Sequence, residues 1–140
     1  MARLEIHFPE IIHFTTEIPV RISDLNYGNH LGNDALVSIL HEARVQFLKK
    51  YNYTEMNIEG VGIIMADLAV QYKSEVFYND VLKIEMSVKN FTRVGFEIFY
   101  RVSCSQKNIA LAKTGIVCFD YEKKKIVALP LRFEKIFSPN

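Results

Sequence analysis

The chain lacks several features that would point to other classes of protein. It has no tryptophan and only two cysteines in 140 residues, and its formal net charge is +1. A charge this close to zero provides no general attraction for nucleic acid. No apolar run approaches the roughly 18 residues that a membrane-spanning helix requires. We therefore expect a globular domain with neither a nucleic-acid partner nor a membrane span.

The cysteines and histidines show no metal or redox pattern. Cys104 and Cys118 do not form a C-x-x-C pair, and both fall in apolar, strand-like segments, so we expect buried, reduced thiols. His7, His13 and His41 lack the spacing of a zinc site, so no metal is expected. Charged residues near the N-terminus interrupt the window in which a signal peptide needs its apolar core, which favours a cytoplasmic location.

What the chain does contain is an apolar fraction of 49%, enough for one core, and we expect a single domain over residues 1–140. Alternating apolar residues predict a strand at 13–22, in which Pro19 indicates an edge position or a bulge. An apolar stripe of helical period predicts a helix over 34–51 that is buried on most sides. The remaining predicted elements are strands at 61–73, 81–91, 94–105, 109–121 and 126–129 and a terminal helical turn at 131–137.

The order of these elements predicts an α+β fold with an antiparallel sheet, because short polar breaks separate consecutive strands. One helix cannot cover five or six strands that have two apolar faces. The surplus apolar surface therefore predicts burial against another copy of the chain, giving a homodimer that can extend to a homotetramer.

The densest polar chemistry lies directly before the predicted helix, from Asp24 to Asn33, where the chain reads D-L-N-Y-G-N-H-L-G-N. A helix N-terminus presents free N–H groups and positive potential. Amide and imidazole groups gathered there suit a site that polarises a carbonyl and positions a water. Imidazole is also suited to proton transfer near neutral pH, which makes His30 a candidate base or donor.

This segment and the following His41-Glu42-Ala43-Arg44 resemble acyl-CoA and acyl-carrier thioesterases of the 4-hydroxybenzoyl-CoA thioesterase type. That family has a pattern near D-x-D-x-x-G-H-V-N-N-x-x-Y, followed by a helix with E-x-x-R or E-A-R. The positions that match are Asp24, His30, Asn33, Glu42 and Arg44. The resemblance covers about residues 14–120. It implies a hotdog fold, in which a curved antiparallel sheet of five or six strands wraps a long central helix.

The same resemblance implies a function. We expect hydrolysis of an acyl-CoA or acyl-carrier-protein thioester at a dimer-interface site, with CoA as part of the substrate and no further cofactor. One departure bears on catalysis: the second acidic residue of the family pattern is Asn26 here, and an amide cannot accept a proton. A non-catalytic module that binds acyl thioesters is therefore the alternative, and a hydratase of the same fold is a third hypothesis.

Three side chains are the candidate catalytic residues: Asn26 to hold the carbonyl or the water, and His30 and Glu42 to assist the water, with Glu42 chosen mostly on the resemblance. Each has a structural alternative. Asn26 suits an Asx-turn, His30 suits a backbone-bonding loop position, and Glu42 suits a solvated helix position paired with Gln46.

The candidate substrate-binding residues are Asp24, Asn33 and Arg93. The first two have structural alternatives, which the sequence favours: Asp24 suits capping the loop or fixing His30, and Asn33 suits capping the helix. Arg93, together with Lys73 and Arg101, is a candidate for the phosphates of CoA, in part from a second subunit. Strand cations of this kind are usually only solvated.

Overall fold

The computed structural model describes residues 3–139. Its two helices are α1 (Asn33–Lys50) and α2 (Leu131–Phe137), and a 3₁₀ turn covers Ile22–Asp24. The strands are β1 (Phe14–Pro19), β2 (Gly62–Tyr72), β3 (Val81–Lys89), β4 (Gly95–Cys104), β5 (Lys107–Asp120) and β6 (Lys125–Ile126). The predicted α+β class is confirmed.

The strands form one antiparallel sheet in the order β1-β3-β4-β5-β2, and β6 pairs with the end of β5. β1 pairs with β3 alone, and Pro19 lies opposite Val81. The edge position that this proline predicted is confirmed. The strand stops at Pro19 rather than at residue 22, because the next residues turn into the 3₁₀ helix.

Helix α1 packs one face into the core. Leu36, Leu40, Ala43 and Phe47 are each at most 1% exposed, and they share the core with sheet residues such as Ile98. The prediction that the helix is buried on most sides is wrong. A single sheet covers one face, so an exposed stripe remains, formed by Asp34, Ser38, His41, Glu42, Val45 and Lys49.

Strand β2 is the other edge of the sheet, since it pairs with β5 alone. The sequence predicts a strand that is covered on both faces or sealed in an interface, yet this chain leaves residues 65–68 exposed. Met65 is 44% exposed and Leu68 36%. The register shifts between Met65 and Asp67, which marks a bulge in the middle of the strand.

The remaining expectations for the fold are met in part. The terminal turn is confirmed as α2, whereas the strand predicted at 126–129 shrinks to Lys125–Ile126. Cys118 is buried, and burial raises the pKa of its thiol to about 11, whereas Cys104 is only half-buried. No helix among residues 3–139 is long and apolar enough to cross a membrane.

Candidate active site

A cleft of about 290 Å³ opens where the N-terminus of α1 meets the loop between β2 and β3. Its apolar lining includes Leu36 and Ile109, and its polar lining includes His30, Tyr72 and Glu75. The other lining residues are Leu31, Gly32, Asn33, Lys73, Ser74 and Val76. The cleft therefore joins part of the predicted motif to a loop that carries no predicted site residue except Lys73.

Backbone hydrogen bonds hold the motif segment at the edge of this cleft. The N–H of Leu31 donates to the Val76 carbonyl at 2.9 Å, and the N–H of Gly32 donates to the Asp24 carbonyl at 3.0 Å. His30 forms an isolated β-bridge with Phe77. The segment is thus fixed both to itself and to the β2–β3 loop.

Asp24 organises the segment rather than facing the cleft. It is 5% exposed, and its carboxylate accepts the N–H of Arg21 at 2.8 Å and the Arg21 guanidinium at 3.2 Å. It is not among the residues that line the cleft. This geometry favours the loop-capping alternative, and a direct contact of Asp24 with substrate stays a prediction.

The helix begins at Asn33, and the N-cap position belongs to Gly32. The expectation that Asn33 caps the helix is wrong, because Asn33 already has the first helical position. No side chain hydrogen-bonds to the N–H groups of the first turn at the cap. These groups have no acceptor within the helix, so Asn33 and Asp34 present backbone donors beside the cleft.

The Tyr72 side chain is hydrogen-bonded to the first turn of α1. Its hydroxyl donates to the Asn33 carbonyl oxygen at 2.8 Å. Burial raises the pKa of Tyr72, and the nearby charge of Asp34 adds to the effect. The hydroxyl therefore stays protonated at neutral pH and remains a donor, which ties the end of β2 to the first turn of α1.

His30 is half-buried, with 31% of its side chain exposed. Its Nδ1 lies 3.4 Å from the carbonyl oxygen of Leu31. A carbonyl oxygen only accepts, so the ring donates to it in the tautomer with the proton on Nδ1, and Nε2 is the acceptor of that tautomer. Nε2 lies 3.7 Å from Oε1 of Glu75 across the cleft.

Asn26 shapes the turn that presents His30. Its Oδ1 accepts the N–H of Gly28 at 2.8 Å, and its own N–H donates to the His30 carbonyl at 2.9 Å. A Cβ added to Gly28 would lie 3.2 Å from His30 Nε2 and 3.3 Å from Asn26 Oδ1. The Asx-turn alternative is therefore present, and Gly28 keeps the space between the two side chains open. Asn26 itself does not line the cleft.

Glu42 and Arg93 are not brought to this cleft within one chain. Glu42 is exposed, accepts Nε2 of Gln46 at 2.8 Å and lines a separate groove with Arg21. Arg93 lies in the turn after β3, whereas the cleft lies before it, so the nine residues of that strand separate them by about 30 Å. Roles for Glu42 and Arg93 in catalysis or binding stay predictions.

The other cations have different surroundings. Arg44 is buried, donating to Glu55 at 3.0 Å and to the Tyr100 hydroxyl at 3.1 Å. Arg101 pairs with Glu85 at 2.8 Å. Lys73 alone among the three candidate phosphate-binding cations lines the cleft.

Sequence reasoning assigned no site role to Tyr72 or Glu75. The available signal was positional: both lie where a long strand gives way to a loop. β1 and β3 pair antiparallel, with Pro19 opposite Val81. The loop that precedes β3 therefore lies beside the segment that follows β1. No group of three or more potential metal-ligating side chains occurs within the described part of the chain.

The chain is similar in sequence and fold to known proteins. A model of the thioesterase-like superfamily matches residues 20–137. A curated protein of Aquifex aeolicus (strain VF5), named "Putative esterase", is 30% identical over 91 residues, covering 64% of this chain and 70% of that protein.

Two solved structures share the fold at low sequence identity. A 1,4-dihydroxy-2-naphthoyl-CoA thioesterase from Synechocystis superimposes with a TM-score of 0.80 at 18% identity, covering 90% of this chain and 96% of that one. A gentisyl-coenzyme A thioesterase superimposes with a TM-score of 0.79 at 14% identity, covering 89% and 100%.

Proposed function

The chain belongs to the thioesterase-like superfamily, with the hotdog fold that its motif implied, and we propose that it hydrolyses acyl-CoA or acyl-carrier-protein thioesters at the cleft beside α1. The observation that carries this proposal is the uncapped N-terminus of α1 next to the His30 imidazole. Thioester hydrolysis needs donors for a developing oxyanion and a group that orients water. The cleft offers both.

The carbonyl oxygen of the thioester would accept N–H groups from the first turn of α1. The N–H groups of Leu31 and Gly32 are already used by Val76 and Asp24, so the donors are those of Asn33 and Asp34. The helix dipole adds positive potential at the same place. The Nδ2 group of Asn26 is a further proposed donor, because only the Oδ1 of that amide is used in the turn.

Water attack would occur from the side of His30, whose Nε2 accepts a hydrogen bond from the water in the tautomer with the proton on Nδ1. The Asn33 side chain is exposed at the same rim. The acyl group would enter against Leu36 and Ile109, and Lys73 would meet the phosphates of CoA. The relatives named for naphthoyl-CoA and gentisyl-CoA favour including aromatic acyl groups among the substrates tested.

A homodimer is part of this proposal. β2 is an open edge strand with exposed Met65 and Leu68, and open edges of this kind pair readily. Two β2 strands paired antiparallel about their centres would set the Gly62 end of one beside the Tyr72 end of the other. Arg93 lies near the Gly62 end, because Val117 pairs with both Gly95 and Ile64. A second copy would thus carry its Arg93 toward the cleft.

The second candidate function is a module that binds acyl thioesters without hydrolysing them. Asn26 favours it, because the amide at this position cannot take a proton. The test is release of free thiol from a panel of short, long and aromatic acyl-CoAs, monitored with a thiol reagent, alongside calorimetric binding. Hydrolysis predicts stoichiometric thiol and free acid, whereas binding without thiol release from any substrate would select the binding module.

A further inference from the structure

Glu75 is the one carboxylate among the described residues that line the cleft. The loop that carries it is fixed on both sides. The N–H of Ser74 donates to the Ile109 carbonyl at 3.2 Å, and the Val76 carbonyl accepts the N–H of Leu31 at 2.9 Å. The backbone therefore holds Glu75 opposite the motif segment, while 64% of its side chain remains accessible.

The Glu75 carboxylate and the His30 imidazole are placed to hold the same water. Oε1 of Glu75 lies 3.7 Å from Nε2 of His30, which is too long for a direct hydrogen bond. A water molecule can lie within about 2.8 Å of both atoms and bridge them. Its two hydrogens would then point to Glu75 and His30, and its lone pairs would point away from both.

The Asn26 amide and the His30 imidazole both lie beside Gly28. A Cβ added to Gly28 would lie 3.2 Å from His30 Nε2 and 3.3 Å from Asn26 Oδ1, so these two atoms are at most about 6.5 Å apart. The region around the imidazole thus holds an amide at position 26 and, 3.7 Å from Nε2, a carboxylate at position 75. Of these two, only the carboxylate accepts a proton.

We propose that Glu75 is the general base of the hydrolysis proposed above, on which this inference rests, and that it replaces a carboxylate at position 26, where this chain has Asn26. The water oxygen bonds to the thioester carbonyl carbon as Glu75 takes one of its protons. The tetrahedral intermediate then collapses, the carbon–sulfur bond breaks, and the thiolate takes the proton from Glu75. The products are a carboxylic acid and a thiol, and His30 orients the water throughout.

The first test compares Glu75→Gln, Glu75→Asp and the wild type on one acyl-CoA that the wild type hydrolyses. We expect Glu75→Gln to lower kcat by at least about 100-fold, the range for loss of a general base, with KM within about threefold. Glu75→Asp keeps the carboxylate and should retain more activity. Glu122→Gln, an exposed carboxylate in the turn after β5, is the matched control and should leave kcat unchanged.

The second test moves the carboxylate. Adding Asn26→Asp to Glu75→Gln should raise kcat by at least about tenfold over Glu75→Gln alone. Failure of this rescue would contradict the inference that Glu75 replaces a carboxylate at position 26. A Glu75→Gln variant with wild-type kcat would overturn the inference while hydrolysis itself still stands. A wild type that releases no thiol from any substrate would overturn both proposals.

Discussion

A serine at the N-cap of α1 should stabilise the protein and slow it at the same time. Gly32 has φ −71° and ψ 149°, an extended conformation that any residue adopts. A serine there would place its hydroxyl to accept an N–H of the first turn, which no side chain caps in the natural sequence. An N-cap side chain accepts the N–H of the second or third helical residue, and the N–H of Asp34, the second, is one of the two donors that we propose for the thioester oxygen.

The matched comparison is Gly32→Ser against Gly32→Ala. Both introduce a Cβ that would lie 2.8 Å from Oδ1 of Asp34, so the cost of moving that carboxylate cancels between them. The serine cap is worth about 1 kcal/mol over alanine, which corresponds to roughly 3 °C in Tm for a domain of this size.

The kinetic effect has the same origin. A substrate oxygen must displace the serine hydroxyl before it can accept the N–H, at the same cost of about 1 kcal/mol. This lowers kcat/KM of Gly32→Ser about fivefold relative to Gly32→Ala. Thermal melts of the two variants measure the difference in Tm, and thiol-release kinetics measure the ratio of their kcat/KM values. A serine variant that melts higher yet matches the alanine variant in kcat/KM would contradict the use of the Asp34 N–H as an oxyanion donor.

Three further predictions concern the dimer, the second predicted base and acid stability. Leu68→Glu, on the exposed edge strand, should convert a dimer of twice the 16.2 kDa chain into a monomer by light scattering; an unchanged mass would contradict pairing through β2. Glu42→Gln should lower kcat less than about twofold, whereas a loss above tenfold would show that a second copy brings Glu42 to the cleft. Burial opposes the charge on Glu55, but hydrogen bonds from His41 and Arg44 outweigh it and lower its pKa in the fold. Its stabilisation is therefore complete above the unfolded pKa near 4.3 and is lost as pH falls through the lower folded pKa, so Glu55→Gln should flatten acid unfolding in that window.

Much of the fold could be predicted from the sequence because local periodicity reports it directly. The alternation of residues 81–89 and the helical stripe through Phe47 each identify a buried face. Pro19 marked an edge strand, because proline cannot donate to a neighbouring strand. The helix start was misplaced by one residue, since Asn33 is a good cap by type but Gly32 has the extended conformation.

The site was less predictable, because a cleft is a property of two loops brought together. The motif identified His30 and the helix start, which are local in sequence. Glu75 belongs to a loop whose only link to the motif is the sheet pairing, so no spacing within the chain pointed to it. Glu42 was chosen mostly on the resemblance. Its exposure depends on which side of α1 the sheet covers, and that is a property of the tertiary structure.

The most direct test of the account is the rate of thiol release from an acyl-CoA by the wild type and by His30→Gln, with folding confirmed for both by thermal melts. We predict one free acid for each thiol released by the wild type, and a kcat at least about tenfold lower for the variant. Equal rates from the two proteins, or no thiol from either, would contradict a hydrolytic site at the start of α1.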